Sequence, residues 1–109
     1  MVYKVLFLQE AEHDLKAIKK YLLKDFSKKS WEDCYQKIKQ SIETIRTFPQ
    51  LGHVPDELEA LNLMHHRQVV SGKNRIIYEI NEQLIYIHLI CDARKSLGLL
   101  LMQRLTRMV

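Results

Sequence analysis

The chain has 109 residues, of which 47% are hydrophobic and 28% charged, and its formal net charge is +4. This length and composition predict one globular domain over residues 1–109 and exclude a disordered chain. No apolar run approaches the roughly 20 residues that cross a bilayer, so we expect no association with a membrane. The basic balance favours a nucleic acid, the ribosome or an acidic protein as partner.

Two cysteines, Cys34 and Cys91, lie far apart and fit no metal-binding spacing. Each lies in an apolar pattern, which predicts buried free thiols and therefore a reducing, cytoplasmic location. The sequence has no motif for a metal, a nucleotide or a flavin, so we expect no cofactor.

The first half of the chain predicts a strand followed by two helices. Val2–Leu8 is a short apolar run that is typical of a strand. Apolar residues recur at helical spacing over Gln9–Phe26, with lysines on the other side, which we interpret as a solvated face. Ser27 or Ser30 can cap a second helix that ends before Pro49. The short link predicts a helical hairpin.

Aromatic residues in the second helix have two interpretations. Trp31 and Tyr35 could stack on nucleic-acid bases, but their helical spacing with three isoleucines predicts core positions. The acidic stretch Asp56–Leu63 predicts a short helical turn and is unsuited to phosphate contact.

The stretch from residue 65 to residue 94 predicts a three-strand antiparallel meander. Its strands are β-rich runs separated by turn residues. These runs are His66–Val70, Arg75–Ile80 and Leu84–Ile90. The last run is apolar at odd and even positions, which is typical of a central strand covered on both faces. Ser96 can cap a final apolar helix that needs a groove in this protein or in a partner.

The register of the first hairpin decides which side chains share a face. If the loop spans Ser71–Asn74, Val70 pairs with Arg75, and Arg75 lies on the same side as His66. If the loop has three residues, Arg67 joins Arg75 instead. The sequence leaves both registers open.

Basic side chains are concentrated around this meander. They are His65, His66, Arg67, Lys73 and Arg75 at the first hairpin, and Arg94 and Lys95 after the last strand. A sheet needs apolar residues rather than a basic rim, so we expect an anionic ligand. His88, inside the last strand, is interpreted as a buried structural histidine.

The element order and two short segments resemble the RelE/ParE family of bacterial toxins. The segments are Gly72–Glu79 (GKNRIIYE) and Asp92–Lys95 (DARK), and the resemblance covers nearly the whole chain. It implies an α/β (α+β) fold with an N-terminal strand, an α-helical hairpin, a three-strand antiparallel meander that completes a four-strand sheet, and a C-terminal helix.

The resemblance also implies a function, the toxin component of a type II toxin–antitoxin system. Such a toxin inhibits growth and is neutralised by a cognate antitoxin protein. RelE-like members are metal-independent mRNA interferases that act on the ribosome, whereas ParE-like members inhibit DNA gyrase without catalysis. An inactive member that only binds another protein is a third alternative.

Functional residues follow from the same resemblance. The implied catalytic residues are Arg75, Arg94 and His66, since guanidinium groups can hold a phosphate and histidine titrates near neutral pH. The RelE tyrosine falls on Leu100 or Leu101, which leaves the RelE acid–base set incomplete. The implied nucleic-acid-binding residues are Arg67, Lys73 and Lys95.

Overall fold

A computed structural model describes residues 3–107, with side chains through residue 104. The elements of this part of the chain are β1 (Lys4–Phe7), α1 (Gln9–Asp25), α2 (Lys28–Thr47), α3 (Asp56–Glu59), β2 (His66–Ser71), β3 (Asn74–Asn81), β4 (Leu84–Asp92) and α4 (Leu97–Arg107). The strands form one sheet in the order β1-β4-β3-β2, with β1 parallel to β4 and the other neighbours antiparallel. The predicted fold class is confirmed. Val2, the predicted first strand residue, lies outside the described residues.

None of the described helices is both long and apolar enough to cross a membrane.

The hairpin of α1 and α2 begins and ends where the sequence predicts. Ser27 is the N-cap of α2, and its Oγ accepts a hydrogen bond of 3.0 Å from the backbone N–H of Ser30. This bond satisfies one of the amides that a helix leaves unpaired at its first turn. Of the two candidate caps, Ser27 is therefore the one used.

The sheet is covered on both faces. On one face α1 and α2 pack on a core made by Ala11, Ile38, Ile45, Ile76, Tyr78, Ile85, Ile87 and Ile90. On the other face α3 and α4 pack on a core made by Leu58, Ile77, Leu89, Cys91, Leu97 and Leu101. The central strand β4 contributes to both cores, as its apolar pattern predicts.

The aromatic pair of α2 does not join either core. Trp31 and Tyr35 stack on each other with ring centroids 5.2 Å apart, and Tyr35 is 37% exposed. Trp31 lies in the first turn of the helix, whereas the buried α2 residues Ile38 and Ile45 lie further along it. The prediction of core positions for this pair was wrong.

The first hairpin adopts the longer-loop register. Val70 pairs with Arg75 and Ser71 with Asn74, so the turn itself consists of residues 72 and 73. Gly72 has a φ of +61°, in the left-handed region that favours glycine. Arg75 therefore shares a face of the sheet with His66, the cross-strand partner of Glu79.

A buried tyrosine holds the loop between α2 and α3. The Tyr78 hydroxyl donates a hydrogen bond of 2.6 Å to the Pro49 carbonyl and accepts one of 3.0 Å from the Gly52 N–H. A Cβ at Gly52 would lie 2.5 Å from that hydroxyl and 2.7 Å from the Gln68 carbonyl, so only glycine allows this approach. Burial raises the pKa of Tyr78.

An ion pair completes the hydrogen bonding of β4 beyond Ile87, the last residue that pairs with β1. Asp14 of α1 accepts a hydrogen bond of 3.0 Å from the Ile90 N–H, and Arg104 of α4 donates one of 2.8 Å to the His88 carbonyl. The two side chains also bind each other, with 2.6 Å between Arg104 Nη2 and Asp14 Oδ1. They thus cover an otherwise open strand edge and connect α4 to α1.

We expect Asp14→Ala to lower the free energy of unfolding by about 1–3 kcal/mol, because the half-buried Arg104 loses its closest charged partner and keeps the longer contact of 4.0 Å with Glu10. The Arg104 side chain is only 13% exposed, and the Ile90 N–H would lose its acceptor as well. Urea denaturation followed by circular dichroism measures the loss. Glu12→Ala, at an exposed position of the same helix, is the matched control and should change stability by less than about 0.5 kcal/mol. Equal effects of the two substitutions would contradict this role.

Candidate functional site

Arg75 lies on the face of the sheet that α3 and α4 cover. Its Nη1 donates a hydrogen bond to Glu57 Oε1 of α3, in an ion pair whose side chains are 20% and 35% exposed. The second oxygen of Glu57 accepts a bond of 3.2 Å from the Leu97 N–H at the first turn of α4. Arg75 therefore holds the carboxylate that joins α3 to α4.

Arg94 is paired with a carboxylate two residues before it. Its Nε and Nη2 bind the two oxygens of Asp92 at 2.9 and 3.0 Å, and its backbone N–H donates to the same carboxylate at 2.8 Å. Hydrogen bonds from Arg94 hold the pKa of Asp92 at about 2. The Arg94 side chain is 91% exposed, so an anion can reach it but must compete with Asp92.

His66 belongs to a cluster that spans three strands. Its ring lies 4.7 Å from the ring of His88, and His88 Nε2 lies 2.8 Å from Glu79 Oε1. Burial, together with the neighbouring His88, lowers the pKa of His66. A neutral imidazole at pH 7 can accept a proton or bind a metal ion. Within the described part of the chain, its buried Nδ1 has no hydrogen-bond partner.

The predicted nucleic-acid-binding residues lie in two places. Arg67 is on the face covered by α1 and α2, where its Nη1 donates a hydrogen bond of 2.7 Å to the Gly52 carbonyl. Lys73 is in the turn between β2 and β3, and its carbonyl accepts a bond of 2.8 Å from the Ala93 N–H. This contact brings Lys73 to the same end of the sheet as Lys95.

The structure thus divides the predicted site residues among three locations. One location is the end of the sheet at the turn between β2 and β3, which holds Lys73, Arg94 and Lys95. A second is the face covered by α3 and α4, which holds Arg75 and His66. Arg67 lies on the opposite face. Their roles in catalysis and nucleic-acid binding stay predictions.

Three further residues complete these environments. They are Glu57, Glu79 and His88. Of the two registers that the sequence left open, the longer-loop one pairs Glu79 with His66. The proximity of these two residues could therefore have been found from the sequence. The Glu57–Arg75 pair joins different elements and has no local pattern. His88 was interpreted as a buried structural histidine; it is 23% exposed, so half-buried, and Glu79 satisfies its Nε2.

Both cysteines are free thiols. Cys91 is buried, and desolvation raises its pKa to about 11. Cys34 is half-buried and accepts a weak hydrogen bond of 3.6 Å from Asn74 Nδ2, and burial raises its pKa as well. Raised pKa values disfavour the thiolate, so neither side chain is an activated nucleophile.

Residues 5–96 match the family model described as the ParE toxin of the type II toxin-antitoxin system parDE. This chain belongs to the ParE toxin family. The match confirms the resemblance to the RelE/ParE family. No curated protein matches the sequence significantly.

A solved structure agrees with the fold of this ParE-family chain. The chromosomal ParDE toxin–antitoxin system from P. aeruginosa aligns with a TM-score of 0.68 over 84% of this chain and 96% of that chain. The sequence identity is 13%, so the likeness concerns the fold alone.

In this ParE-family chain we expect Glu57→Ala to lower the free energy of unfolding by about 1–3 kcal/mol, because Arg75 and the Leu97 N–H lose a charged acceptor. Chemical denaturation measures the loss, and faster hydrogen exchange of the Leu97 amide locates it. Glu59→Ala, at an exposed position of the same helix, is the control. Unchanged stability and exchange in Glu57→Ala would show that the ion pair does not hold α4.

Proposed function

We propose that this chain is the toxin of a type II toxin–antitoxin pair, which inhibits growth when free and is neutralised by a cognate antitoxin protein. The family match over residues 5–96 carries the proposal. The surface of the helical hairpin supports it, since it offers a partner an apolar furrow.

The furrow runs along α2 beside the edge strand β1. Its wider part, about 560 Å³, is lined by Phe7, Glu12, Leu15, Lys16, Tyr35, Ile38, Lys39, Ile42 and Glu43. An adjoining part, about 400 Å³, is lined by Tyr3, Lys4, Val5, Phe7, Ile42, Glu43 and Arg46. The two parts share Phe7, Ile42 and Glu43, so they form one continuous depression. Because β1 ends the sheet, one side of this strand has no partner strand among the described residues.

The chemistry of the furrow favours an amphipathic segment of the antitoxin as its occupant. Apolar side chains of such a segment would contact Leu15 and Ile42, as in other helix-in-groove complexes. Lysines and glutamates alternate at the rim, which suits a partner that carries both signs of charge. The apolar centre would supply most of the affinity and the rim would supply orientation.

The toxin would inhibit growth by binding a protein, and ParE-like membership implies DNA gyrase as that target. This mode agrees best with the ion pairs that the arginines form. Arg75 is bound to Glu57 and Arg94 to Asp92, so an RNA phosphate would have to displace two carboxylates. The positions of the RelE tyrosine hold leucine, and Leu101 is only 4% exposed within the second core.

Metal-independent cleavage of mRNA on the ribosome is the second candidate. It is favoured by His66, whose lowered pKa leaves a neutral imidazole available as a general base. The exposed Arg94 near the turn end could stabilise charge on a phosphate once Asp92 is displaced.

Expression of the chain alone should stop bacterial growth, and co-expression of the protein encoded beside it should restore growth. The purified chain should inhibit supercoiling by gyrase and leave ribosome-bound mRNA intact, because its arginines are engaged. Both assays are run side by side on the same preparation. Normal growth at verified soluble expression would reject the toxin proposal. Cleavage that is lost in Arg75→Ala but kept in Lys20→Ala, at an exposed α1 position, would select the enzyme instead.

We expect Tyr35→Asp to weaken antitoxin binding by at least about tenfold, since it places a charge in the apolar furrow. Calorimetric titration of the antitoxin into the purified toxin measures the affinity. Tyr21→Asp, at a tyrosine that is 54% exposed and outside the furrow, is the matched control. The furrow would be rejected as the binding site if the two variants bound the antitoxin equally well and new hydrogen-exchange protection were confined to α4. That result would place the antitoxin on α4.

A further inference from the structure

His66, Glu79 and His88 bring together three side chains that can bind a metal ion. They come from β2, β3 and β4, and one ligand atom of each lies within 4.8 Å of the other two. Within the part of the chain that the structure describes, no other three histidine, cysteine, aspartate or glutamate side chains lie this close together. The side chains of Glu79 and His88 are 31% and 23% exposed, so an ion can enter from solvent.

Backbone irregularity helps to form the cluster. Ile77 pairs with Leu89 but Tyr78 pairs with Ile87, so His88 is an extra residue in β4 at a β-bulge. A bulge redirects a side chain without ending the strand. Here it leaves Leu89 in the second core while the imidazole of His88 lies against Glu79.

We propose that His66, Glu79 and His88 bind one zinc ion. Two imidazoles and one carboxylate are a ligand set that zinc prefers, with a water molecule as the fourth ligand. Zinc bonds of about 2.0–2.2 Å place neighbouring ligand atoms about 3.3 Å apart in a tetrahedron. In the cluster, His88 Nε2 and Glu79 Oε1 are 2.8 Å apart, and all three ligand atoms lie within 4.8 Å of one another. The separation of about 3.3 Å lies between these two values. Small side-chain rotations would therefore complete the site.

Charges around the cluster allow a cation to bind. Glu79 supplies a negative charge, and the nearby Arg104, which donates to the His88 carbonyl, is compensated by Asp14. The buried Nδ1 of His66 has no hydrogen-bond partner among the described residues, so no hydrogen bond within this part of the chain occupies that nitrogen. Sequence spacing could not indicate this site, because its ligands come from three strands.

A zinc ion in this position would connect β2, the outermost strand on its side of the sheet, to β3 and β4. Ligands that bind only the folded state raise its stability by mass action. The ion would thus fasten the sheet at a place remote from the furrow on α2. This inference does not depend on the proposed toxin function.

The test uses the full chain without a histidine tag, stripped with a chelator and titrated with zinc chloride in a calorimeter. We expect one zinc ion per chain and a melting temperature that rises with zinc concentration. Cobalt(II) in place of zinc should give the visible absorption of a tetrahedral site with nitrogen and oxygen ligands.

Variants identify the ligands. Glu79→Gln and His88→Gln should each weaken zinc binding by more than about tenfold, because each removes one of three protein ligands. His65→Gln, an exposed histidine next to the site, should bind zinc like the unmodified chain. Circular dichroism checks that every variant is folded, and Glu79→Gln keeps the size of the side chain.

Two results would overturn the proposal. One is the absence of saturable zinc binding by the folded, unmodified chain. The other is binding that survives in both Glu79→Gln and His88→Gln, which would place the ion elsewhere. Either result would leave the Glu79–His88 contact as a structural hydrogen bond between strands.

Discussion

The structure depends on the need to cover β4 on both faces. This strand carries apolar side chains on both faces of the sheet. Leaving either face open would expose isoleucine and leucine side chains to water, which is unfavourable. The helical hairpin covers one face, while α3 and α4 cover the other. The Asp14–Arg104 pair holds the last helix in place, and it supplies the hydrogen bonds that β1 is too short to make.

Covering the second face changes the role of the basic residues around the meander. Arg75 lies under α3 and α4, and Glu57 satisfies its charge there. A buried or half-buried cation needs such a partner, because removal from water is costly for an unpaired charge. Arg94 remains exposed but is held by Asp92. Among the basic residues of the meander, the positive charge that stays accessible is therefore at the turns, and the sheet itself is not an open cationic surface.

The two proposed binding surfaces are consequently separated in this ParE-family chain. The furrow along α2 beside β1 is apolar with a mixed-charge rim, which suits a protein segment. The histidine cluster is on the other face, where a β-bulge brings His88 to Glu79. Because the sheet lies between them, an occupant of one need not contact the other, and substitutions at the two places can be interpreted independently.

The sequence by itself determined the elements, the central position of β4 and the family, because helical and strand periodicities are local properties. It limited the cap of α2 to Ser27 or Ser30, and the structure chose Ser27. It also named His66 and Arg75, but not what they contact. Only the tertiary structure decided the hairpin register, the bulge at His88 and the position of Trp31 and Tyr35 outside both cores. The pairs Arg75–Glu57 and Arg104–Asp14 are separated by 18 and 90 positions in the chain. Contacts of this kind depend on how the helices pack on the sheet, and no pattern within one segment carries that information.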